Sequence, residues 1–163
     1  MKYKLTDETK DFNGIKLHRI EALESFGDVR KGDKGGWIEK EANLSQGGNA
    51  WVTGDARVTG DAWVFRNARV DGHAWVTGDA VVSGHAWVTG NAWVTGDAVV
   101  SGHAWVTGNA WVTGDARIDK KIKLTSGYFY RTKPKSEKIE MVDTYDDGYE
   151  TLACNPKIEK WEE

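Results

Sequence analysis

From Asn49 to Lys120 the chain is an unbroken run of hexapeptides, and no other feature restricts its fold so tightly. The units read NAWVTG, DARVTG, DAWVFR, NARVDG, HAWVTG, DAVVSG, HAWVTG, NAWVTG, DAVVSG, HAWVTG, NAWVTG and DARIDK. Ala is second in all twelve, Val is fourth in all but the last (Ile118), and Gly is sixth except at Arg66 and Lys120. In an extended segment Ala-X-Val-Thr, Ala and Val face one side while X and Thr face the other. Gly accepts φ > 0 freely, and Asn, Asp and His are enriched there, so each strand is followed by a corner. A tandem run of amphipathic helices is excluded, because each interior Gly would cost about 1 kcal/mol. Residues 79–96 and 97–114 are the same eighteen residues twice over. Eighteen residues therefore make one coil of a three-sided solenoid, and successive coils pair as parallel strands about 4.8 Å apart.

Adding 18 assigns every outward residue to a face. The X positions give Trp51, Arg69, Trp87 and Trp105 on a first face, Arg57, Trp75, Trp93 and Trp111 on a second, and Trp63, Val81, Val99 and Arg117 on a third. Thr59, Thr77, Thr95 and Thr113 form a column beside the second Trp ladder. Such columns support themselves through ring contacts and Thr hydrogen bonds along the stack. Yet three Trp side chains of about 150–250 Å² each exceed the apolar patch that a typical monomer exposes. A cover is expected: another subunit, the terminal segments or a partner. The corners carry an Asp61, Asp79, Asp97 and Asp115 column, which could hold a cation or bond to corner amides. His85 and His103 stack at another corner, and His73 lies at a third.

These repeats resemble the hexapeptide-repeat family, whose members fold as left-handed parallel β-helices; the handedness comes from that resemblance alone. The resemblance implies a trimer, the common assembly of such β-helices. It also brings two enzymatic precedents: acyltransferases with a His general base, and γ-class carbonic anhydrases with three His on a zinc shared between subunits. The sequence leans against both. No loop interrupts residues 49–120, and the His residues share their slot with Asn and Asp. No cofactor or metal site is expected within one subunit. The lone Cys154 rules out a disulfide framework.

Charge is concentrated in the flanks, with 7 acids and 5 bases in residues 49–120 out of totals of 25 and 22. The net charge of −3 argues against general nucleic-acid coating. With no apolar run of membrane length and no signal core, the expected location is cytoplasmic. Weak hexapeptides GGWIEK and EANLSQ occupy residues 35–46, followed by Gly47-Gly48. Strands are expected at Tyr3–Leu5 and in the apolar run Ile15–Leu23, separated by an Asn13-Gly14 turn. Beyond the repeat, strands are expected at Ile122–Leu124 and Tyr128–Thr132, with a hairpin of Lys138–Tyr145 and Tyr149–Cys154. The expected organisation is an N-terminal cap (1–34), the β-helix (35–120) and a C-terminal hairpin cap (121–163), the caps being β or α+β.

The passage LHRI…FGDV…GGWIEKE is similar to the opening of uncharacterised hexapeptide-repeat proteins of phages, prophages and bacteria. That resemblance brings no established activity and weighs towards a phage accessory role; the expected function is a non-enzymatic oligomer that binds a host macromolecule or ligand, an inhibitor of bacterial defence being one version. The expected contact surfaces are the ladders Trp75, Trp93, Trp111 with Thr59, Thr77, Thr95, Thr113, and Trp87 with Trp105. Tyr128, Tyr130, Arg131 and Lys133 form a further candidate patch. The alternatives are an acyl-CoA-dependent transferase with a His at a subunit interface, and a carbohydrate-binding solenoid using its Trp ladders.

Overall fold

A computed structural model describes residues 1–131, 143–144 and 150–152. Strands β1 (Tyr3–Phe12), β2 (Ile15–Ala22) and β3 (Lys34–Ile38) precede the repeat. One short strand per hexapeptide follows: β4 (Trp51–Val52), β5 (Arg57–Val58), β6 (Trp63–Val64), β7 (Arg69–Val70), β8 (Trp75–Val76) and β9 (Val81–Val82). The series continues with β10 (Trp87–Val88), β11 (Trp93–Val94), β12 (Val99–Val100), β13 (Trp105–Val106), β14 (Trp111–Gly114) and β15 (Arg117–Ile118). Last come β16 (Ile122–Leu124), β17 (Tyr128–Arg131), β18 (Asp143–Thr144) and β19 (Glu150–Leu152). Apart from one 3₁₀ turn at Glu41–Asn43, the described regular structure is all β.

Strands eighteen residues apart pair in parallel, giving a three-sided β-solenoid of stacked coils. β4, β7, β10 and β13 make the first face; β5, β8, β11 and β14 the second; β6, β9, β12 and β15 the third. Trp93 pairs with Trp75 below and Trp111 above, as the period requires. The Trp93 and Thr95 amides donate to the Ala110 and Val112 carbonyls of the next coil, each at 2.9 Å. Inside, the Ala and Val columns fill the bore, and Val58, Val76, Val94 and Val112 are fully buried. The corner Gly carries positive φ, for example 69° at Gly78, where an added Cβ would sit 3.0 Å from the Gly96 backbone. Arg66 holds the same corner conformation at φ 62° despite its side chain.

The N-terminal segment is β rather than α+β, and it extends the second face instead of standing apart. β1 and β2 pair antiparallel, β3 joins β2, and β3 then pairs in parallel with β5. Asn13 (φ 53°) and Gly14 (φ 78°) make the two-residue hairpin turn with both residues left-handed. β1 runs on to Phe12, well past the expected Leu5. The step from this segment to the first coil is twenty residues, Trp37 pairing with Arg57 and Leu44 with Val64. Gly47-Gly48 supplies the two extra residues, and a Cβ on Gly48 would clash with the Arg66 carbonyl oxygen.

At the other end β16 stacks on β13 with the regular step, and β17 stacks on β14 one residue short of it. Phe129 thereby takes the inward slot of Val112 and is buried. β18 and β19 pair antiparallel, in keeping with the expected C-terminal hairpin, and β19 extends the first face by pairing with β16. The remaining hairpin positions lie outside the described residues.

Candidate functional site

The two Trp columns differ in geometry. On the second face Trp75, Trp93, Trp111 and Tyr128 form an edge-to-face series. Their centroids are 4.7, 5.0 and 5.3 Å apart at interplanar angles of 75°, 61° and 71°. The quadrupole of an aromatic ring favours this arrangement over a flat sandwich. On the first face Trp87 and Trp105 are parallel, 5.3 Å apart at 9°, and Lys123 lies over the Trp105 ring at 4.4 Å. Trp63 on the third face lies flat on Phe65, at 4.1 Å.

The Thr column beside the second ladder is anchored at its lower end. The buried Thr59 hydroxyl donates to Thr77 Oγ1 at 2.8 Å and accepts from the Trp75 indole N–H at 3.1 Å. Thr77, Thr95 and Thr113 are half-buried. In the C-terminal patch Tyr128 is exposed, and Tyr130 and Arg131 hold backbone positions on β17 opposite Thr113 and Gly114. Lys133 lies outside the described residues.

The N-terminal segment covers the lower ends of both Trp columns, which the periodicity could not disclose. Tyr3 and Phe26 pack edge-on against Trp51, leaving it only 3% exposed. Phe12, at the hairpin tip, packs at 87° against Trp75, and the Arg57 guanidinium lies over Phe12 at 4.4 Å. Lys10 and Arg19 both lie over Trp37. The Tyr3 hydroxyl donates to the carbonyls of Leu44 (2.7 Å) and Glu41 (3.0 Å), and burial pushes its pKa up. The Lys2 ammonium is buried beneath the first coil, donating to the Ala50 carbonyl at 2.8 Å, and burial lowers its pKa to about 8.

At the corners His85 and His103 stack with centroids 5.0 Å apart, and Asn67 lies 3.4 Å from His85 Nε2. His73 faces Asp55 at 3.9 Å. In the Asp column, Lys40 donates to Asp61 at 2.6 Å, and this bond holds the Asp61 carboxyl below its usual range. Among the described residues no group of three or more His, Cys, Asp or Glu side chains is arranged to hold a metal.

A cleft of about 710 Å³ opens where the loop before β3 crosses the first face. Its lining includes Trp51, Arg69 and Trp87 of the face, Thr53 and Asp71 on one flank, Asn67 and His85 on the other, Asp28 and Asp33 from the loop, and Lys34 at the start of β3. The Arg69 guanidinium forms an ion pair with Asp28, and partial burial lowers its pKa. Asp71 accepts from the Gly72 amide, and Lys34 is paired with Glu8 at 2.9 Å. Of the expected site residues only Trp87 borders this cleft. The 18-residue step gave Arg69, Asp71 and His85 their columns, but the loop that closes the cleft lies outside the period.

No family model matches the chain. An alignment of 59 positions, covering 31% of the chain, is 37% identical to the uncharacterized acetyltransferase YdcK of Escherichia coli (strain K12). The match spans 18% of that protein's length. The stacked parallel coils and this partial likeness fit a hexapeptide-repeat protein. No described helix is long and apolar enough to cross a membrane.

Proposed function

We propose that the chain is a non-catalytic, oligomeric binding solenoid whose contact surface is the upper part of the second-face aromatic column. One observation carries this reading. Trp93, Trp111 and Tyr128 remain 37%, 39% and 50% exposed in a contiguous series, while the lower rungs of the same column are covered by the N-terminal segment. Contiguous aromatic surface of this size is more typical of an interface than of a free face. A trimer built on this column is the assembly expected of the fold. Its finer version is a phage-type protein that engages a host macromolecule, such as a component of bacterial defence, through surface that the trimer leaves open.

Light scattering of the intact chain tests the assembly, the expected mass being three times 18.1 kDa. Replacing Trp93 and Trp111 by Val, which occupies the same slot at Val81 and Val99, should yield a folded monomer. A wild-type monomer at micromolar concentration would overturn the reading.

A second reading is an acyl-CoA-dependent transferase. It is supported by the name of the Escherichia coli relative and by the position of His85 in the lining of the cleft. A general base must reach the acceptor hydroxyl or amine, and an exposed His beside a cleft meets that need. Release of free CoA from acetyl-CoA across a panel of acceptors, abolished by His85→Asn, would replace the binding reading with this one.

A further inference from the structure

We infer that the cleft on the first face is a binding site for a neutral saccharide, with one pyranose ring seated against Trp87. The inference rests on the binding-module reading but concerns a different face from the aromatic column that carries it. The cleft lies at a break in the first-face column. From the repeat, Arg69 should sit directly below Trp87 as its neighbouring rung. Instead its guanidinium turns to Asp28 of the overlying loop. Elsewhere the protein covers indole faces with cations, Lys10 and Arg19 on Trp37 and Lys123 on Trp105. Among the described residues no cation lies over Trp87. Trp105 stacks on one face of Trp87, and Trp87, 40% exposed, lines the cleft.

The groups that line the cleft with Trp87 select the ligand class. Both cations in the lining are already ion-paired, Arg69 to Asp28 and Lys34 to Glu8, while Asp71 and Asp33 also face the cleft. A phosphate or carboxylate ligand would therefore meet uncompensated negative charge. A cationic ligand would use only acceptors and would lie against the Arg69 guanidinium. The lining offers both donors (Arg69, Asn67) and acceptors (Asp71, His85 or Asn67), and a hydroxyl group both donates and accepts. A pyranose also presents a face of C–H groups to the negative face of an indole. The volume of about 710 Å³ lies within the range of small-molecule clefts, roughly 300–1,000 Å³.

The test uses the full chain, labelled for indole N–H resonances and titrated with cellobiose, maltotriose and di-N-acetylchitobiose, then applied to a neutral-glycan array. ADP and spermidine serve as anionic and cationic comparators. At least one neutral saccharide should shift the Trp87 indole resonance. Its affinity should fall tenfold or more in Trp87→Val and in Asp71→Thr. Both replacements are native to their slots elsewhere in the repeat, Val at Val81 and Thr at Thr53 and Thr89, so the coil is kept. Trp93→Val with Trp111→Val should leave saccharide binding unchanged while dissociating the oligomer. Failure of the saccharide site and failure of the oligomer reading are thus separately visible. Silence across the array and the three oligosaccharides overturns the inference. So does a stronger response of Trp87 to ADP or spermidine, or saccharide binding retained in both cleft variants.

Discussion

The lower and upper coils are built from one repeat, yet they treat the same side chain in opposite ways. Trp51 and Trp87 occupy equivalent positions two coils apart on the first face. Trp51 is 3% exposed beneath Tyr3 and Phe26, whereas Trp87 is 40% exposed. On the second face Trp37 is covered by Lys10 and Arg19, while Trp93 and Trp111 are open. The repeat places a Trp and the flank decides whether it becomes core. In a solenoid the energetic role of a residue therefore depends on distance from the capped end as much as on its position in the period.

The largest expected break in this comparison comes from truncating equivalent Trp residues. Trp51→Ala should cost about 3–5 kcal/mol in chemical denaturation, as a large buried ring does. Trp87→Val should change stability by less than about 1 kcal/mol, since its ring is half open. Equal losses at the two sites would contradict the covering role of the N-terminal segment.

Corners give the next contrast. Gly96→Ala places a Cβ 2.9 Å from the Gly114 amide at φ 66°; the left-handed conformation alone costs a non-Gly residue about 1–2 kcal/mol. Arg66→Gly relieves a residue already strained at φ 62°, and should be neutral or stabilise by up to about 1 kcal/mol. Thermal melts of the two variants should move in opposite directions, or one should not move at all.

Two chemically identical threonines sharpen the comparison further. Thr59→Val removes hydrogen bonds to Thr77 and to the Trp75 indole and should cost about 1–2 kcal/mol. The equivalent Thr95→Val, on an open coil, should stay within about 0.5 kcal/mol.

A pH dependence also separates the capped end from the open coils. The Lys2 pKa is about 8 when folded against 10.5 otherwise, so between these values the unfolded chain binds more protons. Stability should therefore rise with pH from about 8 towards 10. Tyr3 has the opposite sign, because its raised pKa makes the folded chain hold the proton longer, and stability falls above pH 10. Urea midpoints measured across this range should show the rise in the wild type and lose it in Lys2→Met.

Much of this was legible in the sequence, for a specific physical reason. Parallel pairing between coils makes residue i meet residue i + 18, so the partners of Trp93, Val94 and Thr95 followed from counting. The corners followed in the same way from the backbone freedom of Gly. What resisted was everything that departs from eighteen. The twenty-residue step over Gly47-Gly48 put Trp37 at the foot of the second column, and the seventeen-residue step to Tyr128 turned Phe129 inward. Phe12 meets Trp75, and Asp28 meets Arg69, across separations that no repeat encodes. These irregular contacts build both the cover and the cleft. The candidate saccharide site depends on such a contact, since the loop that carries Asp28 closes the cleft that Trp87 lines.

The duplicated eighteen residues, 79–96 and 97–114, have a consequence for how the chain finds its register. Two coils with the same sequence are interchangeable templates, so a growing solenoid that skips one meets no mismatch at the next rung. A slipped form with one coil looped out would preserve its internal ladders and lose only the pairing energy of a single turn. Between the irregular N-terminal hairpin and the shortened step into β17, the number of coils can therefore change by whole turns without redesigning any contact.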